Sequence, residues 1–264
     1  MAPRFLQIAL EPPVAVVRIN RPEKRNALSL RLLQELHEAA RMLRERTDIC
    51  AVVLTGTKEY FSAGMDLSDP AFSSLAGASL KEQRRCMSYA PRMCSAWEAL
   101  DQVTIAAIEG FCLGGGVSLT CCLDFRVMAE GAYIQAPEID YGMNMSWATL
   151  PRLVHLMGPA RAKQLIILAE KVEARLAHAW GFAQWLCADG SAMQVAKEIA
   201  ERVGSKPHAP VCMTKATVNA VSTAIDHTAS HMDRDQFLLS VSNEESRERI
   251  AAFLRKETSE REEG

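Results

Sequence analysis

The chain lacks most of the marks by which a sequence betrays a metal, a compartment or a nucleotide site. Its eight cysteines (Cys50, Cys86, Cys94, Cys112, Cys121, Cys122, Cys187 and Cys212) form no Cys-x-x-Cys pair. Their spacing fits no zinc site, so no metal is expected and the thiols read as small, reduced core residues. The opening Met-Ala-Pro-Arg-Phe carries no hydrophobic signal segment, no apolar run approaches a membrane span, and the closing Glu-Glu-Gly spells no targeting address. Cytoplasmic location without membrane contact is the resulting expectation. A formal net charge of −2 gives no bulk attraction to nucleic acid, and no basic stripe is evident. Gly-x-x-x-x-Gly-Lys-Ser/Thr, Gly-x-Gly-x-x-Gly and any Ser/His/Asp triad order are missing as well. His155, His178, His227 and His231 fall on predicted helices and read as packing or surface residues.

What is present describes a globular chain of 264 residues, 48% hydrophobic and 23% charged, long enough for one large domain. Residues 5–10 alternate, Glu11-Pro12-Pro13 turns and residues 14–19 are β-branched, which predicts a hairpin. Further strands are predicted over 50–55, 103–108, 125–129 and 133–135. Helices are predicted from the Ser29 cap to 46, over 80–100 with a break at Pro91, and over 117–123. Beyond them the chain reads as helix over 147–156, 159–169, 173–180, 191–203, 210–231 and 233–255, with a frayed tail from 256 to 264. Residues 56–70 read as a loop, and the small residues of 72–77 as a mobile one. Strands gather early and helices late, so residues 1–200 are expected to form an α/β core and 201–264 a helical extension.

Two glycine-bearing segments stand out. One is Phe61-Ser62-Ala63-Gly64-Met65-Asp66-Leu67, and the other is Gly110-Phe111-Cys112-Leu113-Gly114-Gly115-Gly116. Each helical glycine costs about 1 kcal/mol against alanine, so helix propensity does not explain three in a row. They permit close backbone approach or positive φ, and at a helix start they leave N–H donors free.

These segments, together with Asn20-Arg21-Pro22-Glu23-Lys24-Arg25-Asn26-Ala27-Leu28 before them and Ala136-Pro137-Glu138-Ile139 after them, resemble the crotonase family, also called enoyl-CoA hydratase/isomerase. The motifs stand in family order and the resemblance spans about residues 5–255. It implies a crotonase-like spiral of ββα units whose C-terminal helices form trimers or dimers of trimers. The apolar residues Phe237, Leu238, Leu239, Ile250 and Phe253 are expected to supply the faces for that assembly. The implied ligand is an acyl-CoA thioester, so coenzyme A arrives with the substrate and no separate cofactor is expected. By the same resemblance the thioester oxygen sits on the backbone N–H groups of Met65 and Gly115. Lys24, Arg25, Ala27, Ala63, Gly64, Asp66, Leu67, Gly114 and Tyr141 surround the substrate and its CoA. By charge pattern alone Lys24 and Arg25 read equally as a solvated run, and Asp66 as a residue that fixes its own loop.

Hydratases that the chain resembles carry two glutamates. The later one is matched by Glu138, but the earlier one falls on Ser118. Serine is no free-standing base near neutral pH, so the two-glutamate hydration does not carry over. Dienoyl-CoA isomerases place acids where this chain has Ser118 and Ser146, which counts against their reaction. Two similar subfamilies manage with one glutamate: Δ3,Δ2-enoyl-CoA isomerases, and hydroxycinnamoyl-CoA hydratase-lyases. The second has a tryptophan where Tyr141 stands. Single-acid isomerisation, hydration with water held between Ser118 and Glu138, and a non-catalytic acyl-CoA-binding scaffold are the expectations left open. Glu138 also has plain structural alternatives, as a cap for the helix near Trp147 or as a partner for Arg152. Asp140, Tyr141 and Asn144 are further candidates for the same cavity.

Overall fold

The computed structural model describes residues 3–262. Among them are ten strands: β1 (Leu6–Glu11), β2 (Val14–Ile19), β3 (Ala51–Thr55), β4 (Tyr60–Ser62), β5 (Val103–Ile108), β6 (Phe111–Leu113), β7 (Phe125–Ala129), β8 (Tyr133–Gln135), β9 (Val172–Glu173) and β10 (Trp185–Cys187). β1 and β2 make the expected antiparallel hairpin, and a parallel ladder continues it in the order β1-β2-β3-β5-β7-β10. A smaller sheet runs β4-β6-β8-β9. The chain therefore passes from the large sheet to the small one three times, at β3-β4, β5-β6 and β7-β8, with helical segments after each passage. This is the spiral of ββα turns.

Burial on both faces explains the unbroken apolar run of β3. Val52 and Leu54 face one core cluster with Leu32, Leu36 and Trp97, while Ala51 and Val53 face another with Ala196 and Ile199. The helix Leu30–Arg44 starts at Ser29, whose Oγ accepts from Leu32 N at 3.2 Å. The helix Ala192–Gly204, which covers the second cluster, is capped by buried Glu109. Its carboxylate accepts from Gly190 N at 3.0 Å and Ala192 N at 2.8 Å.

Several predicted boundaries are corrected. β4, β6 and β10 lie where the sequence read as loop, glycine turn or nothing, since three residues carry no usable period. The predicted helix 80–100 divides into Leu80–Met87 and Tyr89–Glu98, which leaves Pro91 in a first turn where its missing N–H costs no hydrogen bond. Residues 70–73 and 74–77 form short helical turns rather than open loop. The predicted helix 210–231 becomes His208–Ser222 and Asp226–Ser230. The predicted 233–255 becomes Asp233–Ser242 and Glu244–Glu262, parted by extended Asn243, whose Oδ1 accepts from Ser246 N. The predicted frayed tail is helical to Glu262, and residues 263–264 lie outside the described residues.

One buried cation ties the spiral together behind the glycines. Arg126, 1% exposed, donates to the carbonyls of Phe182, Thr120 and Leu123 at 2.6, 3.0 and 2.7 Å and to Gln184 Oε1 at 3.1 Å. Burial lowers its pKa, yet the fork of donors satisfies carbonyls at the end of the helix Gly115–Cys121. Replacing Arg126 by methionine leaves several buried acceptors unpaired at about 1–3 kcal/mol each. A urea titration is expected to show a loss of roughly 3 kcal/mol or more.

Candidate active site

The site begins with two loops joined backbone to backbone. Arg25 and Asn26 take left-handed φ of 48° and 56°, which turns the loop after β2 back on itself. Fully buried Asn26 then locks it: Nδ2 donates to Ile19 O and Phe61 O at 3.2 and 3.1 Å, and Oδ1 accepts from Arg21 N at 2.8 Å. Ser62 Oγ donates to Asn26 O at 2.8 Å, Ala63 N to Arg25 O at 3.0 Å, and Leu28 N to Gly64 O at 2.7 Å. Asp66 N completes the zipper by donating to Leu28 O. Asp66 itself fixes its loop, accepting from Arg21 Nη1 at 2.7 Å and from Ser68 N and Oγ at 3.1 and 2.7 Å. Burial works to raise its pKa, but these donors outweigh burial and hold it below the usual value.

Gly64 (φ 85°) meets the second glycine segment almost at backbone contact. A Cβ there would lie 2.9 Å from Leu113 O and 3.3 Å from Gly115 N. A Cβ on Gly115 would in turn lie 3.3 Å from Met65 N. Neither Met65 N nor Gly115 N donates a hydrogen bond among the described residues. Gly115 is the first residue of its helix, where the N–H is free and the helix end favours negative charge.

Glu138 enters from the short 3-10 turn Pro137–Tyr141 after β8. Gly114 makes room for it, since a Cβ on Gly114 would lie 2.5 Å from Glu138 Oε1. Glu138 Oε2 is buried with no hydrogen-bond partner, and burial of the carboxyl pushes its pKa up to about 7. The structural alternatives for Glu138 are corrected: Arg152 pairs with Glu98 through two bonds of 2.8 Å, and the helix near Trp147 begins at Thr149 without a side-chain cap. Ser118 is 1% exposed, its hydroxyl 2.7 Å from that of Thr149. Thr149 lies 2.6 Å from Ser146 O, which only accepts, so the Thr149 proton goes there and Ser118 donates to Thr149.

All the residues predicted for the site line one cavity of about 530 Å³: Lys24, Arg25, Ala27, Ala63, Gly64, Met65, Asp66, Leu67, Gly114, Gly115, Ser118, Glu138 and Tyr141. Arg25 is exposed at the mouth, and Lys24 Nζ donates to Ser68 Oγ at 2.7 Å. Asn144 lines the cavity too, but Asp140 is exposed and does not. His155, His178 and His231 bond to Asp226, Ala183 O and Thr228 O away from the cavity, and the side chain of His227 lies outside the described residues. Phe237 and Phe253, expected on an assembly face, line the cavity, with Phe253 against the Tyr141 ring at 4.8 Å. The sequence reading missed the buried lining residues Met143, Met145 and Trp147, which flank Ser146. Trp147 and Ala148, predicted to be helical, take φ of 64° and 56°, a cost of about 1–3 kcal/mol each for residues with a side chain. Arg152 Nη1 donates to both of their carbonyls at 3.0 Å, and Asp233 Oδ2 accepts from Ala148 N at 2.6 Å.

Among the described residues no cluster of His, Cys, Asp and Glu is arranged to hold a metal, and no helix is long and apolar enough to cross a membrane. All eight cysteines are free thiols, and burial pushes Cys121 up to about 12.

A family profile described as enoyl-CoA hydratase/isomerase matches residues 10–263. The chain is 32% identical over 258 residues to a crotonyl-CoA hydratase of Syntrophomonas wolfei, covering 97% of each protein. It is 30% identical to a short-chain-enoyl-CoA hydratase of Clostridium acetobutylicum, covering 93% of each. Among solved structures it superposes with a TM-score of 0.85 on an enoyl-CoA hydratase/isomerase from Pseudoalteromonas atlantica, at 25% identity over 96% of this chain and 98% of that one. With the spiral fold, the paired glycine loops and a match over nearly its whole length, this chain belongs to the enoyl-CoA hydratase/isomerase family.

Proposed function

We propose that the protein is an enzyme that binds an enoyl-CoA with the thioester oxygen on the N–H groups of Met65 and Gly115, and that Glu138 shifts a proton between the α- and γ-carbons. Two backbone donors already in place face the charge that develops on that oxygen, and such donors contribute about 3–4 kcal/mol each. Glu138 takes the α-proton of a 3-enoyl-CoA. The resulting dienolate rests on the two donors, and the same carboxyl returns the proton to the γ-carbon to give the 2-enoyl-CoA. Nothing is consumed. The observation that carries this reading is the state of the carboxyls. Of the three that line the cavity, Asp66 is tied to Arg21 and Ser68, Glu23 lies beside Arg21 with 59% of its side chain exposed, and only Glu138, a half-buried residue, has a buried carboxylate oxygen without a hydrogen-bond partner among the described residues. Ser118, in the place of a second acid, spends its proton on Thr149.

Hydration is the second reading, favoured by the names of the similar hydratases. It needs a water held between Glu138 and Ser118. In either case Lys24 and Arg25, at the mouth, are the proposed partners of the CoA phosphates, and the backbone near Ala27 and Ala63 that of its adenine. Residues 201–264 are proposed as the trimer-forming part, with Val218, Val221, Ile225 and Leu239 exposed along it. Eight free thiols fit a reducing, cytoplasmic setting.

Assay with 3-enoyl- and 2-enoyl-CoA should show Glu138→Gln lowering turnover by about 10²–10⁴-fold. Unchanged turnover contradicts the role. Because the base must be ionised, kcat/KM should rise with pH through about 7 and flatten above it, and the Gln variant should lack that limb.

The raised pKa also has a stability consequence. Glu138 charges more readily in the unfolded chain than in the fold, so its contribution is fully present below pH 4.5 and is lost as pH rises through about 7. Relative to wild type, Glu138→Gln should therefore gain stability from pH 4.5 to 8. The gain is at most about 3 kcal/mol, because each tenfold change in proton affinity is worth about 1.4 kcal/mol. Denaturant midpoints at the two pH values measure this.

A further inference from the structure

The cavity has two unlike ends. Its mouth is at Glu23 and Arg25, both exposed. Elsewhere it is lined by buried side chains, of which Trp147 is the largest, at 8% exposure. The tip of that indole is pressed on the glycine segment: a Cβ on Gly115 would lie 2.7 Å from Trp147 Cη2. So the ring reaches the residue that offers a donor to the thioester oxygen, and it lines the same cavity.

The backbone that carries the ring is held in an unfavourable conformation by residues with no other evident task. Trp147 and Ala148 are consecutive non-glycine residues at positive φ, and such strain persists only where the surroundings over-determine it. Here Arg152, itself fixed by Glu98, holds both carbonyls. Asp233, from the C-terminal helix Asp233–Ser242, holds the Ala148 N–H. In the helical geometry that the sequence pattern alone predicts, residue 147 would open a helix rather than sit in this clamped turn. The clamp thus fixes where the indole points.

We infer that Trp147 is the specificity-determining residue for the acyl group: its ring closes the far end of the cavity and restricts the substrate to short-chain acyl-CoA thioesters. With the thioester oxygen on the Gly115 N–H, the acyl carbons leave the thioester beside the indole that touches Gly115, and the ring stands in the way of a long chain. Arg152 and Asp233 act through Trp147 and are positioning residues. This inference rests on the acyl-CoA reading of the site, and it deepens that reading without depending on which proton Glu138 moves.

The test is a chain-length series from butanoyl- to hexadecanoyl-CoA, with binding followed by calorimetry, alongside turnover of the matching 2- and 3-enoyl thioesters. Wild type should favour four to six acyl carbons over twelve or more by at least tenfold in affinity and in kcat/KM. Trp147→Ala should shift that ratio at least tenfold toward the longer chains. Trp147→Phe, a milder change that retains an aromatic wall, should keep most of the short-chain preference and guards against a misfolded Ala variant, with far-UV circular dichroism as the check. A wild-type profile flat with chain length, or a ratio unmoved in a folded Trp147→Ala, overturns the inference. A graded profile combined with turnover indifferent to Glu138→Gln overturns the role of Glu138 and leaves Trp147 standing. Failure of every acyl-CoA to bind overturns both.

Discussion

The site depends on one close approach: Gly64–Met65 against Leu113–Gly115. A side chain at Gly64 or Gly115 would fall within about 3 Å of the other segment's backbone or of Trp147, so only glycine lets the two N–H donors stand side by side. The approach is held from behind. Asn26 and Ser62 lock the first loop, and Arg126 holds the end of the helix that Gly115 begins. Gly114 then clears a space that Glu138 occupies, so one glycine segment serves both the oxygen site and the carboxyl.

The electrostatics follow from that packing. Asp66 is surrounded by donors that hold its pKa below the usual range, while desolvation of the Glu138 carboxyl outweighs the hydrogen bond from its own backbone and moves it up to about 7. Two carboxyls on one cavity are thereby separated into a fixed structural anion and a group that exchanges protons near neutrality. Ser118 belongs to neither class. Its hydroxyl completes a chain through Thr149 to Ser146 O that fixes the turn leading to the acyl floor.

Much of this was legible in the sequence because it rests on local chemistry. Glycines that no helix wants, the Asn20–Leu28 segment and the lone Pro137-Glu138 mark positions where the backbone itself has a task, and all the residues read from them line one cavity. The central strands β3 and β5 were legible because burial on both faces leaves nearly continuous apolar runs there. What escaped was set by distant partners. Trp147 and Ala148 read as a helix start, yet Arg152, Glu98 and Asp233 hold them at positive φ from 4 to 85 residues away. The place of Phe237 and Phe253 on the cavity wall also escaped, since nothing local shows that the C-terminal helices fold back over Tyr141 and Asn144. The strands β4, β6 and β10 were too short to carry a pattern.

The central claim is that the two free backbone donors receive a thioester oxygen. A crystal structure of the protein with a saturated acyl-CoA measures this directly. The thioester oxygen is expected about 3 Å from both Met65 N and Gly115 N, with Glu138 facing the α-carbon. An acyl-CoA bound with its thioester oxygen turned away from both donors would contradict it.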